Sequence, residues 1–476
     1  MPPAVIAVGA SIAGSAAAAA VGGGVIGAIV GATVTVGVSY LGNPIVGPPK
    51  APAVDLGQSM LDARSGRTQM LVQPVPSHRV VYGEVRVGGP LVFAHTRTDG
   101  GGSKLDMLHL VVVHAAHEVE TLGAVWFGDT AIALDGNGAA TAAPWAGKVQ
   151  VWSHAGHSDQ GADAVLVAES GGRWTQNHRL RGRAYTHLRL RYDPEAFAGG
   201  IPNLSRLVRG RKLWDPRDGA TRWSANAALC ILDYLMAPWG LAAGPDEIDL
   251  AGWIAPANIC DEPIPTLTGS EPRYTCNGVL DLAGRPLDNL EFLLTSCAGR
   301  LSFTGGKWRL AVGAWQPPTV TLGENELRAP VSYRPWRSRR DLVNTVRGAF
   351  TSPAHNWQPT DYPPVADAAS IAADDGEAAL TLDLPFTTSH TMAQRIARIA
   401  LRQNRRQKSL DWPANLAGLR LAAGYPVAVS LGRLGLASTP FRVETWRLTE
   451  EMGVDLALAE DAAEVYAHDP SWLKAM

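Results

Sequence analysis

From about Gln69 onward, apolar and polar residues alternate with a period of two, the pattern of strands that bury one face. Ser77–Thr96 (SHRVVYGEVRVGGPLVFAHT) predicts strands with a turn at Gly88-Gly89, and Leu105–Phe127 continues as β. Gly128–Thr141 reads as a loop, and further strands are expected at Lys148–His154 and Ala184–Asp193. The period then lengthens. Ser224–Ala237 predicts a helix capped by Ser224 and stopped before Pro238, with more helices over Asp246–Cys260 and Leu287–Gly299. Arg300–Gly313 reads as a hairpin around Gly305-Gly306, and Asn344–Phe350 as a strand. Ser389–Gln407 is the clearest amphipathic helix: Met392, Ile396, Ile399 and Ala400 share one face, Arg395, Arg398, Arg402 and Arg405 another. Tyr425–Leu458 is strand-like again. With no internal repeat, the fold class is α+β, β-dominant.

The first charged side chain is Lys50. The Gly/Ala/Val-rich stretch from Ala4 to about Leu41 is long enough to cross a bilayer as a helix, which takes about 20 apolar residues. Gly23, Gly27 and Gly31 would line one helix face and allow close backbone approach. Yet no positive n-region or flanking Lys/Arg cluster accompanies it, so neither a signal peptide nor an ordinary anchor fits well. The favoured reading is a segment shielded by partner chains inside an assembly, with membrane entry on triggering as a further role.

Composition adds little to this and excludes more. Gly (50) and Pro (33) are abundant, consistent with many turns, and a formal net charge of -2 gives no nucleic-acid signature. Basic clusters at Arg179–Arg222, Arg334–Arg347 and Arg395–Arg406 are read as nucleic-acid contacts, as complements to the acidic Glu444–Asp469 segment of a neighbouring subunit, or as solvated surface. His114 and His117, followed by Glu118, have the wrong order and spacing for a metalloprotease helix; they are expected on the surface, with no metal and no cofactor. No nucleophile elbow or phosphate loop occurs, and no catalytic residue is assigned. Cys230, Cys260, Cys276 and Cys297 form no Cys-x-x-Cys pair. Buried free thiols are expected, and a Cys260–Cys276 disulfide is the alternative.

Several ordered passages resemble the tail-tip host-specificity (J) proteins of lambda-like phages. They are Arg181–Phe197 (RGRAYTHLRLRYDPEAF), Gly200–Gly219 (GIPNLSRLVRGRKLWDPRDG), Ala227–Ala242, Ile259–Leu280 with EPR-x-TCN at Glu271–Asn277, Phe292–Leu310 and Leu342–Phe350. Arg79–Ala94 resembles the start of related siphophage and gene-transfer-agent tail proteins. The resemblance implies a trimeric hub of β-barrel-like domains with smaller inserted domains, closing the distal end of a tail tube. It implies a virion protein assembled in the host cytoplasm, with distal-tail, tail-tube and tape-measure proteins as neighbours. Lambda-like members continue into fibre regions, and this sequence stops soon after YAHDPSW (Tyr466–Trp472), so a separate fibre or receptor-binding protein is expected.

The expected organisation is an uncharged segment (1–50), the first part of a hub β-domain (51–105), an inserted β-domain (106–183), a return strand and linker (184–223), an α+β domain with three helices and a hairpin (224–318), and a second hub β-domain with the basic helix 389–407 (319–476). The expected function is structural, in host attachment and genome delivery, without specific nucleic-acid binding. A tail-tip cell-wall hydrolase and a membrane-penetrating tail protein are the alternatives.

Overall fold

The computed structural model describes residues 67–73, 76–98 and 106–476, and the backbone of a strand at Val34–Val36. Gly23, Gly27 and Gly31 lie outside the described residues. The architecture is β-dominant, and the three largest apolar clusters among the described residues form its main cores.

The first core lies between two sheets. One has five strands in the order Met70–Leu71, Gly89–Arg97, Met107–Ala115, Ala184–Arg191, Val149–His154; the other has four, Glu84–Val87, Leu204–Arg209, Thr121–Phe127, Thr130–Ile132. Strand alternation turns Leu110, Val112, Val151, Leu188 and Leu190 inward against Val125, Phe127, Ile132 and Leu204. The opposite face is also covered: Val111 and Tyr185 pack against Leu166 and Trp174 from the segment carrying α1 (Ala164–Glu169). The expected domain border at 105/106 falls inside this sheet, because Met107–Ala115 pairs with both Gly89–Arg97 and Ala184–Arg191.

Gly88-Gly89 is not a turn. Arg79–Arg97 runs on and joins three sheets in succession, pairing Arg79–Tyr82 with Gly278–Asp281, Glu84–Val87 with Leu204–Arg209, and the remainder with Met107–Ala115. Glycine is required at the two breaks. Gly83 has φ +62°, and a Cβ there would sit 2.2 Å from Asn277 Oδ1; at Gly89 it would sit 1.8 Å from the Val113 carbonyl oxygen.

The second core is helical. Its helices are α2 (Ala227–Met236), α3 (Leu250–Asp261), α4 (Pro286–Thr295) and α5 (His390–Asn404). They share one apolar cluster with the hairpin Arg300–Thr304/Lys307–Ala311, to whose first strand Val34–Val36 adds in parallel. The α2 cap is Asn226, whose side chain accepts from the Leu229 N–H at 3.2 Å; Ser224 instead accepts from the Asn226 N–H. Helix α5 packs in this core, although the expected organisation groups it with the second hub β-domain. Arg395 is buried, against expectation. It lies three residues after Met392 and four before Ile399, on the apolar stripe itself, and its guanidinium donates to the Arg273 carbonyl (2.7 Å) and to Glu271 (3.2 Å).

The third core is enclosed by a six-stranded sheet in the order Thr321–Leu322, Pro426–Leu431, Leu436–Leu448, Val454–Glu460, Ser409–Ala414, Ser332–Arg334. Trp412, Val427, Val429, Phe441, Val443 and Leu456 pack against one another in this core. A tip at Pro353–Trp357 reaches the first body: Trp357 meets Trp126, and Arg86 donates to the Asn356 carbonyl at 3.4 Å.

Candidate functional site

Two polar clusters occupy opposite faces of the strands Met107–Ala115 and Ala184–Arg191. On the inner face the sequence of inward side chains runs Leu190, Leu188, Thr186, so the apolar core gives way to polar groups at one end. Arg206 fills that end. It is 3% exposed and has no carboxylate partner among the described residues; its donors instead meet the oxygens of Gly123, Leu122, Ser153 and Thr186. One buried cation thereby ties both sheets together through neutral acceptors, and burial lowers it to about 10.

His114 completes this cluster. Its Nδ1–H donates to the Gly88 carbonyl (3.0 Å), which leaves Nε2 to accept from the Thr186 hydroxyl (2.9 Å). His117 is fixed in the same way: Nδ1–H donates to the Glu118 carbonyl (2.6 Å) and Nε2 accepts from the Val81 N–H (2.9 Å). Both rings are buried, not on the surface as the sequence suggested. Burial lowers His114 to about 3, with Arg206 adding to it, and lowers His117 to about 4. All four ring nitrogens are committed to the protein, and no group of side chains suited to hold a metal occurs among the described residues.

The outer face carries a second cluster that periodicity did not disclose. His187 lies between His109 (Nε2 to Nδ1, 3.0 Å) and Asp163 (Nδ1 to Oδ2, 3.1 Å). His154 Nε2 approaches the same Asp163 oxygen at 2.8 Å, while His109 Nε2 lies 3.2 Å from Glu169, obliquely to the ring N–H direction. Glu169 also holds Arg97 and Arg189. Burial opposes the Asp163 charge, but hydrogen bonds from His154 and His187 overcome it and keep the carboxyl far below the usual range. Burial, then the neighbouring His187 and Arg189, lowers His109 to about 4. Because Asp163 also caps α1 through the Leu166 N–H, the cluster fastens the covering segment to the sheet. The available signal was histidine on strands already buried on both faces.

The remaining candidates are structural in their surroundings. Cys230, Cys260, Cys276 and Cys297 are free and buried in the helical core, where burial pushes Cys260 up to about 12 and Cys230 and Cys297 well above the normal thiol range. A cavity of about 170 Å³ lies between α3, the hairpin and the third core, lined by Asp249, Arg300, Arg309, Tyr425 and Glu444 among others. Its Arg309 is engaged by Asp249 (3.0 Å) and the Thr304 carbonyl (2.9 Å). The acidic C-terminal segment is matched within the chain, pairing Asp461 with Arg442, Glu464 with Arg406 and Glu460 with Lys408. Much of the charge that the sequence left open to a neighbouring subunit is therefore neutralised locally.

Over residues 285–446, the chain matches the model of a family described as "Putative phage tail protein". The matched segment takes in α4, the hairpin, α5 and most of the six-stranded sheet. No curated protein matches the chain. Among solved structures, a chain from the virion of a native gene transfer agent particle has the same fold: TM-score 0.62, 16% identity, covering 85% of this chain and 88% of that one. A 43 kDa tail protein of prophage MuSo2 from Shewanella oneidensis (10% identity, 80% of this chain, 98% of that one, TM-score 0.29) superposes too loosely to add to the argument. The same holds for the prophage tail protein gp18 from Listeria monocytogenes (8% identity, 77% and 87%, TM-score 0.28).

Proposed function

We propose that the chain is the central hub at the distal end of a phage-like tail, of the lambda J type, acting as a structural homotrimer and not as an enzyme. The observation that carries this reading is the fold shared with a virion chain over 85% of the sequence. The tail-protein match over residues 285–446 agrees with it. In this reading the first and third cores are the bodies that ring the tube end, and the helical core holds them in register. The distal-tail, tail-tube and tape-measure proteins are its neighbours, and a separate fibre or receptor-binding protein is anchored on it. Gly23, Gly27 and Gly31 would then meet on the tube axis, where their segment is shielded until genome delivery and can afterwards reach the host membrane. No helix among the described residues is long and apolar enough to cross a membrane, so that role rests on the uncharged segment alone.

Cryo-EM of intact particles tests the proposal. The expected result is three copies around the tail axis at the distal end, with interfaces above about 2,000 Å² of buried surface, as for obligate assemblies. A monomer in the particle, or copies distributed along the tube, would overturn it.

A further inference from the structure

Among the described residues, one edge of the six-stranded sheet lies open beside an exposed indole. Ser332–Arg334 is its outermost strand; it pairs on one side with Ser409–Asp411, and no described strand pairs with the other. Two residues further on, Trp336 is 75% exposed. Arg337, Arg339 and Arg340 follow, the last two on a short helical turn capped by Ser338, and none of the three has an ion-pair partner among the described residues. The nearby cations are satisfied: Arg334 by Asp411, Arg405 by Asp374, Arg406 by Glu464 and Lys408 by Glu460. A net positive charge therefore remains beside the open edge, offset only in part by Asp341 on the same turn and by Asp374, whose carboxyl Arg405 and, to a lesser degree, Arg339 hold low.

We propose that this edge is a docking site for an extended, acidic segment of a partner protein. The segment adds as a strand beside Ser332–Arg334, sets an apolar side chain on Trp336 and places carboxylates on Arg337, Arg339 and Arg340. An open edge supplies backbone donors and acceptors for strand addition, and alternate side chains of the added strand supply specificity. Protective charges and proline blunt many sheet edges, and Pro335 limits this one to three residues. An exposed indole does the opposite, since tryptophan and arginine together are characteristic anchors of protein interfaces. Nucleic acid fits less well. Single-strand binders present successive aromatic platforms along a continuous basic track. Here there is one indole, and Arg405 and Arg406, which would extend the track, are already taken by Asp374 and Glu464. The assignment stands apart from the hub reading, because it is tested on the full chain with synthetic probes and does not depend on the particle.

Fluorescence anisotropy of a labelled ten-residue peptide of alternating Glu and Val measures the docking. Binding to the full chain should be saturable and weakened at least tenfold by R337E/R339E/R340E. It should also weaken at least threefold in W336A, and at least tenfold when alternate peptide amides are N-methylated. A Lys/Val peptide should bind the charge-reversed chain and not the natural one. If the reversed variant fails to fold, R337Q/R339Q/R340Q replaces it, with the same tenfold loss expected. Absence of saturable binding, indifference to these substitutions, or displacement of the peptide by a twenty-base oligothymidine at lower concentration than unlabelled peptide would overturn the proposal; the last outcome would identify a nucleic-acid surface.

Discussion

Trp357 stands against Trp126 with ring centroids 5.5 Å apart and planes at 70°, joining a tip near the helical core to the first β body. Arg86 strengthens the joint: its guanidinium lies over the Trp126 ring at 5.0 Å and donates to the carbonyl of Asn356, the residue before Trp357. Asn356 and Trp357 both adopt positive φ, at 56° and 58°, a conformation costly for residues with side chains unless packing holds it. A double-mutant cycle of W126A and W357A should give a coupling of about 0.5–1.5 kcal/mol, the range for edge-to-face pairs. Urea unfolding of the four proteins measures it, and strictly additive losses would show that the rings do not hold the joint.

Arg442 and Asp461 form a buried pair, 3% and 1% exposed, with Nη2 to Oδ2 at 2.6 Å and Nε to the same oxygen at 2.9 Å. Removing the cation alone leaves a buried carboxylate whose main counter-charge is gone. R442M should cost about 3–5 kcal/mol, and R442M/D461L less than R442M alone. Denaturant midpoints of both variants decide this; a double variant less stable than the single one would contradict it.

Stability should fall as pH drops from about 6.5 towards about 4. His109, His114 and His117 are neutral when folded, with values lowered to about 4, 3 and 4, so below about 6.5 the unfolded chain binds protons that the folded chain refuses. Each ring contributes a slope of up to about 1.4 kcal/mol per pH unit across that window, stability rising with pH. Asp163, also held low, adds a loss in the same direction at more acidic pH. Thermal midpoints measured from pH 7 to 4.5 should decline, and H114N should flatten the curve while leaving zinc content unchanged. A flat curve for the natural chain would sink the linkage.

Alkylation should distinguish folded from unfolded thiols. With the four cysteines buried and free, the native chain should label slowly and the denatured, unreduced chain should take up four groups. Intact mass counts them. Only two labels on the denatured chain would indicate one disulfide and contradict the free thiols.

Periodicity reported local geometry well and surroundings poorly. The stripe Met392, Ile396, Ile399 and Ala400 identified α5 because one face of a helix must be buried, and all four are. It could not show which core would bury them, and it misplaced Arg395 because charge was taken as a sign of exposure although the position lies on the stripe. The hairpin at Gly305-Gly306 was legible, since both glycines take positive φ in its turn. Gly88-Gly89 was not: the same residue type serves a tight turn or a close backbone crossing, and only the partner strand decides between them. The two histidine clusters depend on pairings such as Arg189 with His109, which join distant parts of the chain and leave no local pattern.

The run Arg79–Arg97 also sets an order of events during synthesis. Tyr82 is paired with Gly278, roughly 200 residues later, a delay of some tens of seconds at about 5–20 residues per second. Until that partner leaves the ribosome, the strand before Gly83 keeps a bare edge, while the strands after it can already assemble with Met107–Ala115 and Leu204–Arg209. The two sheets of the first body can thus close once Arg209 has emerged, whereas its joint to the helical core waits for Gly278–Asp281, which follows that core's first two helices. A ribosome stalled between those points would hold a chain prone to pair with its neighbours on the same message.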